Sequence, residues 1–236
     1  MTLGIYVPSY KRSNRILTYH LFEKCKYLVR KSEEKAYLAA GISPDDLWAV
    51  EDEYIDSGSK AYMYVVHNAP EDIIVVADDD IEDFRYMLKE VVSIERDVEI
   101  ITSEIERIGQ IVYDLGIGLA FIPPNAIPYE YDREFSFKGI PGAVKWFNRN
   151  VYKAKYDDTV SENFDIDIIL QELLLNRICL MPKYFYDKGK IDVNAGGNSE
   201  RKRKDQLASI TNMKAKWGKY FDFNEAKNKP IINVTR

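Results

Sequence analysis

The chain has 236 residues, of which 46% are hydrophobic and 30% charged, and its formal net charge is −5. This length fits one large α/β domain, and the hydrophobic share is sufficient for a substantial core. The negative charge balance excludes a uniformly basic protein, so any contact with nucleic acid requires a local basic patch. No apolar run reaches the ~18 residues that span a bilayer, so we expect no membrane partner.

The sequence also predicts the compartment. Residues 1–8 have neither the basic start nor the long apolar run of a signal peptide. Cys25 and Cys179 lie in apolar surroundings and outside any Cys-X-X-Cys pair, which indicates buried free thiols in a reducing compartment. We therefore expect a cytoplasmic protein.

Short apolar runs alternate with helical segments along the first half of the chain. The strongest run is 73–77, which is β-branched, continuous and free of charge, as is typical of a central strand in a covered sheet. The alternation predicts an α/β fold with a largely parallel sheet flanked by helices. Strands are expected at 4–7, 27–29, 47–50 and 73–77, and helices at 16–25, 32–41 with Ser32 as its cap, and 56–67.

The second half is less regular. The pattern predicts helices at 103–115, 161–177 and 199–220, the last of them very basic. It predicts a strand at 118–122 and a strand region at 178–186. The segment 135–146 is either a hairpin or an open loop.

Three consecutive aspartates, Asp78, Asp79 and Asp80, directly follow the predicted central strand. Ligands of open α/β sheets bind beyond the carboxyl ends of strands. In an extended segment Asp78 and Asp80 point to the same side, where their oxygens suit a hard divalent cation. The alternative is that one aspartate caps a helix beginning at 81–84, although three like charges exceed what a cap needs.

A second acidic pair, Glu162 and Asp165, extends the apolar stripe of the predicted helix 161–177 by one turn. Both should therefore face inward at a helix end. They either complement the helix dipole or act in catalysis, and the residues alone leave both interpretations open.

Several basic residues are candidates for phosphate contacts. Lys60 lies at the start of a predicted helix, where a cation is locally unfavourable unless it serves a phosphate. Near the C-terminus, Gly196 and Gly197 precede the run 201–204, which includes Arg201 and Arg203. Solvated helix faces and exposed lysines are the alternative in each case.

Together these segments resemble the GT-A glycosyltransferases. The resemblance rests on 5–12, on 58–61 leading into 73–77, on the aspartates at 78–80, and on 162–165, which is similar to an acidic element late in that fold. The loop at 196–197 with its basic helix is similar to phage glycosyltransferases associated with TET/JBP-type hydroxylases, which act on 5-hydroxymethylpyrimidines in DNA. Many GT-A enzymes use a late histidine as a metal ligand, but none follows His67 here, so Asp187, Asp192 or Asn194, or diphosphate and water, would complete the shell.

The resemblance implies one catalytic domain over 1–236, with a nucleotide-sugar half at 1–115 and an acceptor half at 116–236 that ends in the basic helix. It implies a UDP-sugar donor, Mn²⁺ or Mg²⁺, hydroxymethylated DNA as acceptor, and the cytoplasm of an infected bacterium. The alternatives are a glycan or protein acceptor, or a metal-dependent nucleotidyltransferase. The implied donor-binding residues are Pro8, Ser9, Tyr10, Arg12, Lys60, Asp78 and Asp79. The implied metal ligands are Asp78 and Asp80, the catalytic residues Glu162 and Asp165, and the acceptor-binding residues Gly196, Gly197, Arg201 and Arg203.

Overall fold

A computed structural model describes residues 1–88, 91–124, 131–189 and 203–235 of the protein. The strands are β1 (Leu3–Pro8), β2 (Lys26–Arg30), β3 (Leu47–Val50), β4 (Ile73–Ala77), β5 (Ile81–Leu88), β6 (Val91–Glu95), β7 (Leu119–Phe121), β8 (Phe135–Ser136), β9 (Val144–Asn148), β10 (Met181–Pro182), β11 (Phe185–Gly189), β12 (Phe221–Asn224) and β13 (Lys229–Ile232). The α-helices are α1 (Glu34–Ala39), α2 (Gly58–Asn68), α3 (Val98–Asp114), α4 (Phe164–Leu175) and α5 (Arg203–Trp217).

The central sheet has six strands in the order β3-β2-β1-β4-β9-β7. Strands β3, β2, β1 and β4 are mutually parallel, whereas β9 runs antiparallel between β4 and β7. Every residue of β4 is fully buried, as its charge-free sequence predicts. The prediction of a mixed, largely parallel sheet is therefore confirmed.

Helices cover both faces of this sheet. Alternate β4 residues, Ile73 and Val75, pack in the core that contains the apolar side of α3. Their neighbours Ile74 and Val76 pack in a second core with α2 and α4. This two-sided burial follows from the period-two alternation of side chains along a strand.

A smaller antiparallel sheet, β11-β5-β6, begins directly after the aspartates. The alternative of a helix beginning at 81–84 is wrong, because these residues open β5 and pair with β11. Phe84 stacks on Phe185 with ring centroids 5.1 Å apart, which binds the two strands through apolar contact.

Two helix predictions in the first half need correction. The expected helix 16–25 is only a 3₁₀ turn over Thr18–Leu21. Its Thr18 hydroxyl donates to the Asp78 carbonyl and accepts from the Ile81 N–H, so long-range bonds fix this segment. Ser32 does not cap α1, because its hydroxyl bonds Asp52 instead.

The second half also differs in detail. The predicted helix 161–177 is α4 preceded by a 3₁₀ segment, Asp158–Asn163, with non-helical backbone at Val160. The segment 135–146 is neither a hairpin nor an open loop, since β8 pairs with β10 and β9 joins the central sheet. Within the described residues the final helix, α5, ends at Trp217 and not at 220, and the start expected at 199 lies outside them. The hairpin β12-β13 that follows was missed by the sequence analysis.

Cys25 and Cys179 are buried free thiols, as predicted. Among the described residues, no helix has the length and apolar content required to cross a membrane.

Candidate functional site

The three aspartates form the turn between β4 and β5, at the carboxyl end of the central strand. Because β1 and β4 are adjacent and parallel, the loop after β1 lies at the same edge. The Ser9 hydroxyl donates to Asp79 Oδ2 over 2.5 Å, and Arg12 Nη1 donates to Asp79 Oδ1. The fold thus brings together two segments that are about seventy positions apart in the sequence.

Asp79 belongs to a buried network. The Ser9 hydroxyl lies 2.7 Å from the Tyr37 hydroxyl, which accepts the Arg12 N–H at 3.1 Å. Since Ser9 gives its proton to Asp79, Tyr37 must donate to Ser9. Burial raises the pKa of Asp79, while Ser9 and Arg12 oppose that rise. Asp79 is consequently fixed against the β1 loop.

Asp78, directly after β4, and Asp187, on β11, both bond to the backbone of Ala143. The Asp78 N–H donates to the Ala143 carbonyl at 3.1 Å, and the Ala143 N–H donates to Asp187 Oδ1 at 3.3 Å. Burial raises the pKa of Asp78 to about 7, and nearby carboxylates add to the rise while Lys145 opposes it. Burial likewise raises the pKa of Asp187 to about 6. The positive charge near these two carboxyl groups is therefore too small to offset the cost of burying them in ionised form near neutral pH.

Gly189 separates Asp80 from Asp187. A Cβ on this glycine would lie 3.5 Å from Asp80 Oδ1 and 3.8 Å from Asp187 Oδ2. The two carboxyl groups therefore face the same small space, which the absent side chain leaves open. Asp187 was one of the late acids suggested as an additional metal ligand.

Lys145 is a site residue that the sequence analysis missed. It lies on β9 and is buried, with Nζ donating to the Gly142 carbonyl at 3.0 Å and lying 3.4 Å from the Tyr62 hydroxyl. A lysine inside the apolar run 144–148 was the available signal, because buried lysines require a specific partner.

Tyr62, on α2, links the two acidic groups of the sequence. Burial raises the pKa of its hydroxyl well above 10, and Asp78, Asp165 and Asp187 raise it further. Its ring also contacts Phe164 at the start of α4, with centroids 5.5 Å apart. The N-terminus of α4 is therefore close to the aspartate turn.

The predicted catalytic acids occupy different kinds of backbone. Asp165 is in the first turn of α4, where its Oδ1 accepts the Ile166 N–H at 2.8 Å. Glu162 lies in the preceding 3₁₀ segment, so the helical spacing that placed both on one stripe is wrong. Asn163 between them is buried and donates to the Ser209 hydroxyl on α5.

Two predicted donor-binding residues have other partners. Lys60 Nζ lies 2.8 Å from Oδ2 of Asp56, which is two residues before the start of α2. The Tyr10 ring lies under the Arg30 guanidinium, whose central carbon is 4.0 Å from the ring centroid. Pro8 ends β1 and is partly buried.

The predicted acceptor residues are less defined. Gly196, Gly197 and Arg201 lie outside the described residues. Arg203 is exposed at the first position of α5. Lys216, farther along that helix, lies 2.7 Å from Asp157 and 3.0 Å from Asp167.

The donor set of the site suits a hard cation. Within the described ranges, no three His, Cys, Asp or Glu side chains are grouped so as to hold a metal ion. Asp78, Asp80 and Asp187 nevertheless offer only oxygen, and the pKa of each is raised. A divalent ion would relieve that cost, and Mg²⁺ keeps several positions for phosphate and water. The residues fit a partial metal shell.

No protein-family model matches the sequence, and no curated protein matches it significantly. Solved structures do share the fold. Glucosyl-3-phosphoglycerate synthase from Mycobacterium tuberculosis with Mn²⁺, UDP-glucose and phosphoglyceric acid gives a TM-score of 0.52 at 9% identity, covering 98% of this chain and 86% of that one. The same enzyme with Mg²⁺ and UDP gives 0.50 at 9% identity and the same coverage. The chain therefore has a GT-A-like fold, as expected.

Proposed function

We propose that the protein is a metal-dependent glycosyltransferase that takes a sugar from a nucleotide-sugar donor. The observation that carries this proposal is the three-aspartate turn at the end of β4, bonded to the β1 loop in a GT-A-like fold. The similar synthase binds UDP-glucose and a divalent ion, which supports a UDP-sugar with Mn²⁺ or Mg²⁺ here.

In this proposal Asp80 and Asp78 hold the metal, with Asp187 as a further ligand across Gly189. When bound, the metal neutralises charge on the leaving diphosphate. In this proposal the phosphate oxygens would approach the metal beside Gly189, which has no side chain between Asp80 and Asp187.

The β1 loop supplies the nucleoside side of the site. Pro8, Ser9 and Tyr10 would surround the base and ribose, and Asp79 is held in place by Ser9 and Arg12. Lys60 would have to leave Asp56 to reach a phosphate. This division makes 1–115 the donor half and 116–236 the acceptor half of one domain.

Glu162 and Asp165 are the proposed acceptor-side acids. The Tyr62 ring contacts Phe164, the residue before Asp165, and both Asp165 and Asp78 raise the pKa of the Tyr62 hydroxyl. These two observations support a role for Asp165 near the aspartate turn. If the reaction inverts the anomeric centre, one of the two acids removes the proton of the acceptor hydroxyl. Retention requires no such base.

For the acceptor, we propose 5-hydroxymethylpyrimidine in DNA. Arg203 and Lys204 are exposed at the start of α5, where the phosphates of a DNA backbone could contact them. Lys214 and Lys216 support it less, because they pair with Asp222 and Asp157. Gly196, Gly197 and Arg201 complete the proposed DNA-binding segment.

The test incubates the protein and Mn²⁺ with a panel of nucleotide sugars and hydroxymethylated DNA, unmodified DNA or a glycan. Digested nucleosides are then weighed, and the released nucleotide is identified. Release of nucleoside diphosphate supports a glycosyltransferase. A parallel reaction supplies nucleoside triphosphates with a sugar 1-phosphate, and release of pyrophosphate there would identify a nucleotidyltransferase. A sugar-sized mass gain confined to the hydroxymethylated base supports the DNA acceptor. Transfer to the glycan alone would reject DNA and retain the enzyme class.

A further inference from the structure

Among the residues that the structure describes, strand β6 has no partner on its outer side. It is the outer strand of the sheet β11-β5-β6, and its residues Val91, Val92 and Ile94 are 67%, 40% and 55% exposed. Proteins normally blunt such edges with lysine, proline or a bulge. The sequence of β6, Val-Val-Ser-Ile-Glu, has none of these residues and one charge. An exposed apolar edge of this kind is a template for another strand.

The hydrogen-bond pattern identifies which backbone groups of β6 face outward. The Met87 N–H on β5 donates to the Tyr184 carbonyl, towards β11. Alternate residues in an antiparallel ladder bond to opposite neighbours, so Tyr86 bonds towards β6. Tyr86 is opposite Ser93, whose backbone groups therefore point inward. The N–H and C=O groups of Val92 and Ile94 consequently point away from the sheet.

We propose that β6 pairs in antiparallel orientation with β6 of a second copy of this chain, around a two-fold axis at Ser93. In this register Val92 and the partner's Ile94 exchange backbone hydrogen bonds, and the axis repeats the exchange. The same register overlaps the whole strand and packs Val92 on the partner's Ile94. The strand is thus complementary to itself both in its outward backbone groups and in its apolar side chains.

The self-complementarity favours a second copy over a foreign strand. In such a pair, β6 of each copy supplies the backbone groups and the apolar side chains that β6 of the other copy requires. A standard interface uses about 20–30 residues from each partner, and this strand offers far fewer. The dimer should therefore form at high protein concentration and dissociate on dilution. This inference is independent of the proposed glycosyltransferase activity.

The test is a cysteine placed on the axis. In a pair without mutual hydrogen bonds the Cα atoms are about 4.5 Å apart, which is within disulfide range. Ser93 is exposed, and the two native cysteines are buried, so Ser93→Cys of the full chain reports on this contact alone. Under mild oxidation we expect most of the variant to migrate as a covalent dimer.

Val91→Cys is the matched control, because it is exposed on the same strand. In the proposed register the Val91 positions of the two copies are four residues apart along the pair. At about 3.4 Å per residue this is about 14 Å, beyond disulfide reach. Sedimentation of the unaltered chain should show a dimer that grows with concentration, and Ile94→Lys should raise its dissociation constant at least ~10-fold through charge repulsion and lost packing. Equal cross-linking of the two cysteine variants, no cross-linking of Ser93→Cys, or a monomer at every concentration would overturn the proposal.

Discussion

Arg12 Nη1 lies 3.2 Å from Asp80 Oδ2 and also bonds Asp79, so one guanidinium joins two members of the three-aspartate turn. The side chains of Arg12 and Asp79 are only 11% and 8% exposed. This relationship makes Arg12 the main counter-charge of the turn and gives it a structural role that can be measured.

Replacing Arg12 with Met should therefore destabilise the protein. The change leaves a buried carboxylate without its partner, which typically costs about 3–5 kcal/mol. Urea unfolding measures the loss. Arg133→Met removes an arginine whose side chain is 67% exposed, and it should change the unfolding free energy by less than ~1 kcal/mol.

A double replacement separates charge pairing from packing. Adding Asp79→Asn to Arg12→Met removes the unpaired charge, so the double variant should be more stable than the two single effects predict when added. Strict additivity would show that the two side chains do not depend on each other.

Asp80→Asn tests the metal proposal. The substitution keeps the shape of the side chain but removes charge from the proposed metal shell, so transfer should fall at least ~10²-fold, and chelator should abolish it in the unaltered protein. Initial rates over a Mn²⁺ titration provide the measurement. Asp45→Asn, an exposed aspartate elsewhere, is the control and should retain its rate. Full activity of Asp80→Asn in chelator would remove the metal from the proposal.

Replacing two aspartates on α4 should affect different properties of the protein, turnover in one case and stability in the other. Asp165 is partly exposed at the helix start, so Asp165→Asn should lower turnover and leave the melting temperature nearly unchanged. Asp167 is buried and accepts the Trp217 indole N–H at 2.7 Å, so Asp167→Asn should lower the melting temperature. Glu162→Gln should resemble Asp165→Asn. Thermal melts and transfer rates of all three variants provide the measurement. If Asp165→Asn lost much stability but kept its specific activity, Asp165 would have a structural role and not a catalytic one.

The sequence predicted the centre of the site better than its surroundings. A continuous apolar run followed by aspartates is a local signal, so β4 and the aspartates at its end were both identified, although the turn that they form was not. Lys145 was missed because its burial depends on Tyr62 and Gly142, which are distant in sequence. The 3₁₀ turn at Thr18 was misread as a helix because its backbone is fixed by contacts to the β4–β5 turn, and such contacts are not encoded in local periodicity.

The raised pKa values of Asp78 and Asp187 predict that the metal-free protein loses stability as pH rises. Their pKa values are about 7 and about 6, above the 3.8 of an ordinary aspartate, so the folded state binds more protons than the unfolded state across this range. Their stabilising contribution is complete below pH ~4 and is lost as pH rises to ~7. From pH 5 upward, Asp78 contributes about two pKa units and Asp187 about one. At about 1.4 kcal/mol per unit, a loss on the order of 4 kcal/mol is expected between pH 5 and 8. Urea unfolding in chelator at these two pH values measures it. The amide in Asp78→Asn cannot ionise, so this variant should lose less unfolding free energy between the two pH values than the unaltered protein. If both proteins instead became equally more stable towards pH 8 without metal, Asp78 would be ionised at little cost.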